Sequence, residues 1–297
     1  MDGTRAFSVA GQWLKGALHV HTSVSDGKVT PDEAAAFYRR HCYDFVALTD
    51  HWRLAELSQP PPHGLTLLKG MEWDANSRKE AKWWHFVGLA PDGEHPPRTY
   101  RPEPLFEWAR QHCRYLLLAH PYWSNLCGED LCAFGSVDAV EVFNYGCEIE
   151  LCRGHSEYPW DYALGRGVHL NAVAVDDCHW RLEDAGRGWV MVKATANEPG
   201  EIIEALRRGE FYSSTGAHIH DFRREGNTFH VHCSPATLVK FCCRSYAGGF
   251  VRAEHGNLIE HASFELHGGE TYLRIEVIGR HGEMAWSNPV PLPRRKP

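Results

Sequence analysis

What this 297-residue chain lacks narrows its reading first. It has ten cysteines, Cys42, Cys113, Cys127, Cys132, Cys147, Cys152, Cys178, Cys233, Cys242 and Cys243, yet none form a Cys-x-x-Cys pair. A zinc ribbon or thioredoxin-like motif is therefore not expected, and the thiols read as reduced core or surface residues without a role. No apolar stretch approaches the roughly 20 residues that cross a bilayer, so no membrane partner is expected. The opening MDGTRAFSVAGQW has no basic-then-apolar signal region, which makes the cytoplasm the expected compartment. The formal charge is −7 and there is no long Lys/Arg run. Nucleic acid is thus not expected as a stable partner, although a local basic pocket fits this charge. No internal repeat is visible, and no feature sets an oligomeric state.

What is present is ordinary in bulk and unusual in histidine. Hydrophobic residues make up 43% and charged residues 23%, as in soluble globular proteins. The length suits one large α/β domain, or one domain plus a small one. Short apolar runs at 16–21, 44–49, 65–70, 84–89, 115–120, 139–144, 170–175 and 188–194 read as strands. Thr30-Pro31-Asp32-Glu33 opens a helix between two of them, and Glu198-Pro199-Gly200-Glu201 opens another that runs to Arg208. Strands alternating with helices imply parallel pairing, hence a barrel or a doubly wound sheet. Near residue 212 the pattern changes to alternation and tight turns. Residues 1–215 read as one α/β domain and 216–297 as a small C-terminal antiparallel β-unit, with the tail NPVPLPRRKP extended.

The 20 histidines are a first hint of metal chemistry, and their placement is the stronger one. His19 and His21 end the first apolar run, with Asp26 in the loop after it. His51 follows the second run, Glu72 the third, and His120 ends the fifth. Asp177 and His179 follow LNAVAV. The C-terminal ends of parallel strands converge on one face, so these side chains would meet in one cavity. His85, at the start of its run, joins them only if that strand is irregular or antiparallel. Nine ligands of mixed N/O type suit two to three divalent metal ions such as Zn, Mn or Fe, with a carboxylate bridging. Such ions activate water and polarise an ester oxygen.

Several competing assignments are set by the same local logic. His218/His220 and His230/His232 repeat the His-x-His spacing but read as strand-surface residues. Asp177 is preferred to Asp176 because only Asp177 keeps the i, i+2 relation to His179, with Cys178 pointing away. Asp50, in Thr-Asp-His, reads as a general base or as a partner orienting a histidine. Arg153 and Lys193 are candidate substrate-anion contacts. Trp52, Trp73, Trp83, Trp84, Trp123 and Trp160 crowd these segments, either as an aromatic pocket or as core.

Taken in order, ALHVHTSVSDG, ALTDH, GMEW, HFVGL, LLLAHP, AVEVFN and AVDDCH resemble the PHP (polymerase and histidinol phosphatase) superfamily over residues 15–215. EVFNYGCEIE and EFYSSTG look like the branch that includes carbaryl-hydrolase-like members. The resemblance implies a distorted (β/α)7 barrel, the PHP fold, with a trinuclear centre. In it, His19, His21, Glu72 and Asp177 hold one ion. Glu72, His85 and His120 hold a second, and Asp26, His51 and His179 a third. It implies a phosphoesterase in which a bridging hydroxide attacks the phosphorus of a small phosphorylated substrate, with Asp50, His51 and His179 as catalytic residues. A carboxyl-ester or carbamate hydrolase and a non-catalytic metal-binding module are the alternatives.

Overall fold

A computed structural model describes residues 2–77, 81–92, 96, 98–99 and 101–292. The first part alternates strands and helices. In order these are β1 (Gln12–Ala17), α1 (Pro31–Arg40), β2 (Phe45–Leu48), β3 (Thr66–Ser77), β4 (Lys82–Pro91), α2 (Pro102–His112), β5 (Cys113–Leu118), α3 (Gly128–Ala133), β6 (Ala139–Asn144), α4 (Tyr145–Leu151), α5 (Glu157–Gly165), β7 (Asn171–Val175), β8 (Trp189–Ala194), α6 (Pro199–Arg207) and β9 (Phe211–Ser214). Seven strands follow: β10 (Ile219–Glu225), β11 (Thr228–Cys242), β12 (Gly249–Arg252), β13 (Ile259–Glu265), β14 (Tyr272–Gly279), β15 (Met284–Ser287) and β16 (Val290–Pro291).

The local chemistry accounts for these elements. Thr30 caps α1 in a capping box: its hydroxyl accepts from the Glu33 amide, and the Glu33 carboxylate accepts from the Thr30 amide. Pro31 fills the first helical position. In β2, Phe45 and Ala47 face one apolar cluster, whereas Val46 and Leu48 face the cluster packed on α1. A strand buried on both faces needs such an unbroken apolar run. β6 does the same up to its two buried polar residues, Glu141 and Asn144.

Strands β1 to β7 pair in sequence order. β1–β2, β2–β3, β5–β6 and β6–β7 are parallel. β4 is antiparallel to both β3 and β5, which brings the start of β4, and with it His85, to the mouth where its neighbours end. Six strand spacings would hold β1 and β7 about 29 Å apart in a flat sheet. Yet His21 N donates to Cys178 O at 3.1 Å and Asp177 N to His19 O at 3.0 Å. The sheet must therefore curl until the segments beyond β1 and β7 meet. No continuous ladder joins them, only the parallel bridge Val20–Cys178. The closed seven-stranded barrel implied by the resemblance is thus met as a mixed, curled sheet that does not close. A second correction concerns β1, which ends at Ala17, so that His19 and His21 lie beyond the strand.

The C-terminal strands contain no helix among the described residues, as the alternation suggests. Their sheet is continuous with the first: β9 pairs with β8 on one side and with β15 on the other. The expected boundary near residue 215 falls beside this junction. Residues 293–297 of the Pro-rich tail lie outside the described residues, while Val290–Pro291 is extended and pairs with β14.

A buried guanidinium also ties the two parts together. Arg274 of β14 donates to Asp161 of α5 through Nε (2.7 Å) and Nη2 (2.6 Å), and to Glu276 through Nη1 (2.7 Å). It lies 4.4 Å over the Trp160 ring. Removing one partner of such a buried pair leaves charge uncompensated, at a cost of about 3–5 kcal/mol. Arg274→Ala is expected to lose about that much stability. Urea denaturation checks this; a loss within about 0.5 kcal/mol, the range typical of surface substitutions, contradicts it.

Candidate metal centre

One backbone bridge brings four of the candidate ligands together. Val20 and Cys178 pair across the gap between the β1 and β7 segments and point outward into the apolar cluster around α1. Their neighbours must point the other way. His19 and His21 on one segment, and Asp177 and His179 on the other, therefore face the same interior. Two i, i+2 spacings interlock across a single pair.

A second bridge does the same between the segment beyond β2 and Glu72, which lies within β3 rather than after it. His51 bridges to Glu72, with Trp52 N donating to Glu72 O at 2.9 Å. Left-handed turns follow: φ is +57° at Trp52, +50° at Asp177 and +30° at His120. Such conformations are uncommon for residues other than glycine and cluster at functional sites. Ser25-Asp26-Gly27 turns back tightly, and a Cβ on Gly27 would sit 2.8 Å from the His21 carbonyl.

The result is a convergence of lone pairs. His19 Nε2 and His21 Nε2 are 3.0 Å apart. Glu72 Oε2 lies 3.2 and 3.1 Å from them, and Asp177 Oδ1 lies 3.3 and 3.2 Å away. A tetrahedral site with ligand bonds of about 2.0 Å has edges of about 3.3 Å; His19, His21 and Glu72 offer donor atoms all within 4.8 Å of one another, and Asp177 Oδ1 lies beside both imidazoles. Glu72 extends the cluster, with Oε1 at 2.8 Å from His85 Nδ1 and 3.5 Å from His120 Nε2. On the other side His179 Nε2 is 3.3 Å from Asp26 Oδ2, and His21, Asp26, His51 and His179 offer donor atoms within 4.8 Å of one another. Asp177 Oδ1, His21 Nδ1 and His51 Nδ1 are buried without a hydrogen-bond partner, which is costly unless a cation satisfies them. The mixed imidazole and carboxylate set suits divalent metal ions.

Charge sets the protonation of these groups. Burial alone would lower the His19 and His21 pKa values, but the Asp177 and Glu72 carboxylates outweigh it. His19 rises well above its usual value and His21 to about 9. Glu72 shows the converse. Burial would raise it, but His51, His19 and His85 draw it well below the usual carboxylate range. Burial dominates at His51, which is lowered.

Around the cluster lies a layer of satisfied polar groups, several of which sequence reasoning did not single out. Glu141 is fully buried; it accepts from His19 Nδ1 at 2.6 Å, from the His120 amide at 2.8 Å and from Asn144 Nδ2 at 2.8 Å. Ser124 Oγ lies 2.9 Å from His120 Nδ1. Asn144 Nδ2 also donates to Asp177 Oδ2 at 3.0 Å. The available signal for Glu141 was a lone acid inside the apolar run AVEVFN. Asp176 faces away, accepting from Tyr38 Oη and from the amides of Gly186, Arg187 and Gly188.

The structure places the other candidates as follows. Asp50 is buried and accepts from the amides and hydroxyls of both Thr22 and Ser25; none of these partners is a histidine. It thereby fixes the turn that carries Asp26. Lys193 is a correction. It pairs with Trp13 near the start of β1, at the opposite end of that strand from His19, with its ammonium 5.0 Å from the Trp13 ring. Arg153 is exposed with its guanidinium 5.4 Å from the Tyr122 ring, and it does not line the cavity. The aromatic pocket also fails. Only Trp123 of the six tryptophans lines the cavity, whereas Trp73, Trp84 and Trp160 are core. The cavity, of about 210 Å³, is walled by Asp26, His51, Glu72, His85, His120, Asp177 and His179, together with Cys147, Ile149 and Glu150 of α4, Arg181 and Asp184.

The fold is similar to that of a two-domain protein from Bacteroides vulgatus, described as containing a predicted PHP-like metal-dependent phosphoesterase. The match has a TM-score of 0.53 at 15% identity and covers 94% of this chain and 96% of that one. A second similar structure, named for a metal-dependent phosphoesterase of Bifidobacterium adolescentis, has a TM-score of 0.40 at 15% identity, over 55% of this chain and 87% of that one. A third is an amidohydrolase from Chromobacterium violaceum with bound sulfate and no metal. Its TM-score is 0.40 at 14% identity, over 66% of this chain and 96% of that one. No family model matches the chain, and no curated protein matches it. The chain thus has the fold of the PHP-like structure.

Two predictions follow from the geometry. His21, raised to about 9, is protonated in metal-free protein at neutral pH, so a binding cation must displace that proton. Apparent metal affinity should rise with pH up to about 9, about tenfold per unit for each proton displaced. Calorimetry in buffers of different ionisation enthalpy measures the proton release; affinity that is flat from pH 7 to 9 contradicts it. Glu141→Gln keeps the shape but removes the charge behind His19. It should weaken metal binding about 10- to 100-fold, as read by chelator competition.

Proposed function

We propose that this chain is a metal-dependent phosphoesterase that hydrolyses a small-molecule phosphate monoester or diester. The meeting of His19, His21 and Glu72, with Asp177 beside both imidazoles and Glu72 shared by three further histidines, carries the reading. His19, His21, Glu72 and Asp177 would hold one ion; Glu72, His85 and His120 a second; Asp26, His51 and His179 a third. Zn, Mn or Fe suits these donors. When bound, such ions polarise phosphoryl oxygens and lower the pKa of water toward neutrality.

The chain's own residues then have distinct tasks. Glu72 would be shared between two of these ions. Glu141 and Ser124 orient His19 and His120. Asp50 acts through the Thr22–Ser25 turn that places Asp26, a positioning role rather than a proton-transfer one. Trp123, within 4.9 Å of the His120 ring and 5.9 Å of the His85 ring, walls one side of the cavity. The sequence likeness to the carbaryl-hydrolase-like branch makes aryl carbamates the main competing substrates.

The test is a panel of phosphate monoesters, phosphate diesters, aryl esters and aryl carbamates, assayed with protein loaded with Mn, Zn or ferrous iron. Metal-dependent phosphate release is expected. Asp177→Ala should reduce it by more than the 10- to 100-fold typical of outer-layer partners. Turnover of esters or carbamates without phosphate release would sink the phosphoester assignment. An Asp177→Ala protein equal to wild type would sink the site.

A further inference from the structure

The cavity holds one feature that the assignments above leave without a task. Arg181 is the one Lys or Arg side chain lining it among the described residues. The remaining charged groups on the walls are carboxylates and imidazoles, with Glu150 and Asp184 acidic beyond the cluster itself. A phosphate ester entering this space meets a single guanidinium.

In the structure that guanidinium is engaged by a candidate ligand. Arg181 Nη2 donates to Asp26 Oδ2 at 3.0 Å and to the Asp26 carbonyl at 2.9 Å. The same Oδ2 faces His179 Nε2 at 3.3 Å. A cation held by Asp26, His51 and His179 would therefore compete with Arg181 for one carboxylate oxygen. The backbone beneath Arg181 is fixed. The Asp184 carboxylate accepts from the amides of His179 (2.8 Å) and Trp180 (3.1 Å), and the Trp180 indole donates to the His21 carbonyl at 2.9 Å. Asp184 is thus occupied by amides and offers Arg181 little as a replacement partner. The side chain itself is about half exposed, at 47%.

We propose that Arg181 is the oxyanion-recognition residue of this site, released from Asp26 toward the phosphoryl oxygens when Asp26 binds a cation. The inference rests on the phosphoesterase reading and deepens it. A guanidinium fork matches two phosphoryl oxygens at once, which an ammonium cannot do. The cavity of about 210 Å³ is below the usual range of roughly 300–1,000 Å³ for drug-sized ligands. The class recognised is a phosphate ester whose phosphoryl group enters this cavity.

The test uses the full-length protein loaded with manganese. Inorganic phosphate is titrated calorimetrically into wild type, Arg181→Gln and Arg181→Lys, and metal content is measured on the same samples. Arg181→Gln should weaken phosphate binding about 10- to 100-fold, with metal content equal to wild type and thermal unfolding unchanged. Arg181→Lys should fall between the two. Equal phosphate affinity in wild type and Arg181→Gln overturns the inference and leaves the phosphoesterase reading standing. Metal-loaded wild type that hydrolyses aryl esters but neither binds phosphate nor releases it overturns both.

Discussion

The Glu72 carboxylate lies within 3.5 Å of nitrogens from five histidines, His19, His21, His51, His85 and His120. A buried anion so surrounded cannot be satisfied by ordinary hydrogen bonds to all five. Imidazoles that share one carboxylate must either take up protons or share cations. That requirement organises what lies around it. The sheet curls so that the ends of β1 and β7 meet, β4 reverses so that His85 reaches the mouth, and left-handed turns at Trp52, His120 and Asp177 end the approach. Each conformational expense is local, and the apolar clusters on both faces of the sheet offset it.

A second layer separates the polar interior from the apolar core. Asp50, Asp176, Asp184 and Glu141 are all buried acids, and each is saturated by amides, hydroxyls or an imidazole. Their work is positional. Asp50 holds the turn bearing Asp26, Asp184 the turn bearing His179, and Glu141 the ring of His19. This is how a metal site keeps its donors in place before any ion arrives. The same layer separates Asp176 from Asp177. They are adjacent in sequence, but one faces Tyr38 and the glycine-rich turn while the other faces the cluster.

Among the described residues, the C-terminal strands put no side chain on the cavity wall. β15 inserts beside β9, and Arg274 anchors α5 through Asp161. α5 in turn packs Trp160 into the core around the outer face of β5–β7. The bridge-forming loops are therefore braced from the far side of the sheet.

The sequence by itself determined the set of nine candidate ligands and most of the strands. Strand-end placement and i, i+2 spacing are local properties, and a run such as FVAL between turn residues has few other ways to fold. It also signalled that His85 needed an irregular or antiparallel strand. Glu141 was hidden because a lone acid in an apolar run has no periodic signature. Which cation lines the cavity was hidden for a related reason. Arg153, Lys193 and Arg181 look alike in sequence, and only the tertiary structure shows that Lys193 lies at the far end of β1 while Arg181 reaches Asp26. Tertiary structure alone also decided how far the sheet closes, and that Trp73, Trp84 and Trp160 are core. Spacing along a chain fixes which face a side chain takes, but distance across the fold depends on how the whole sheet curls.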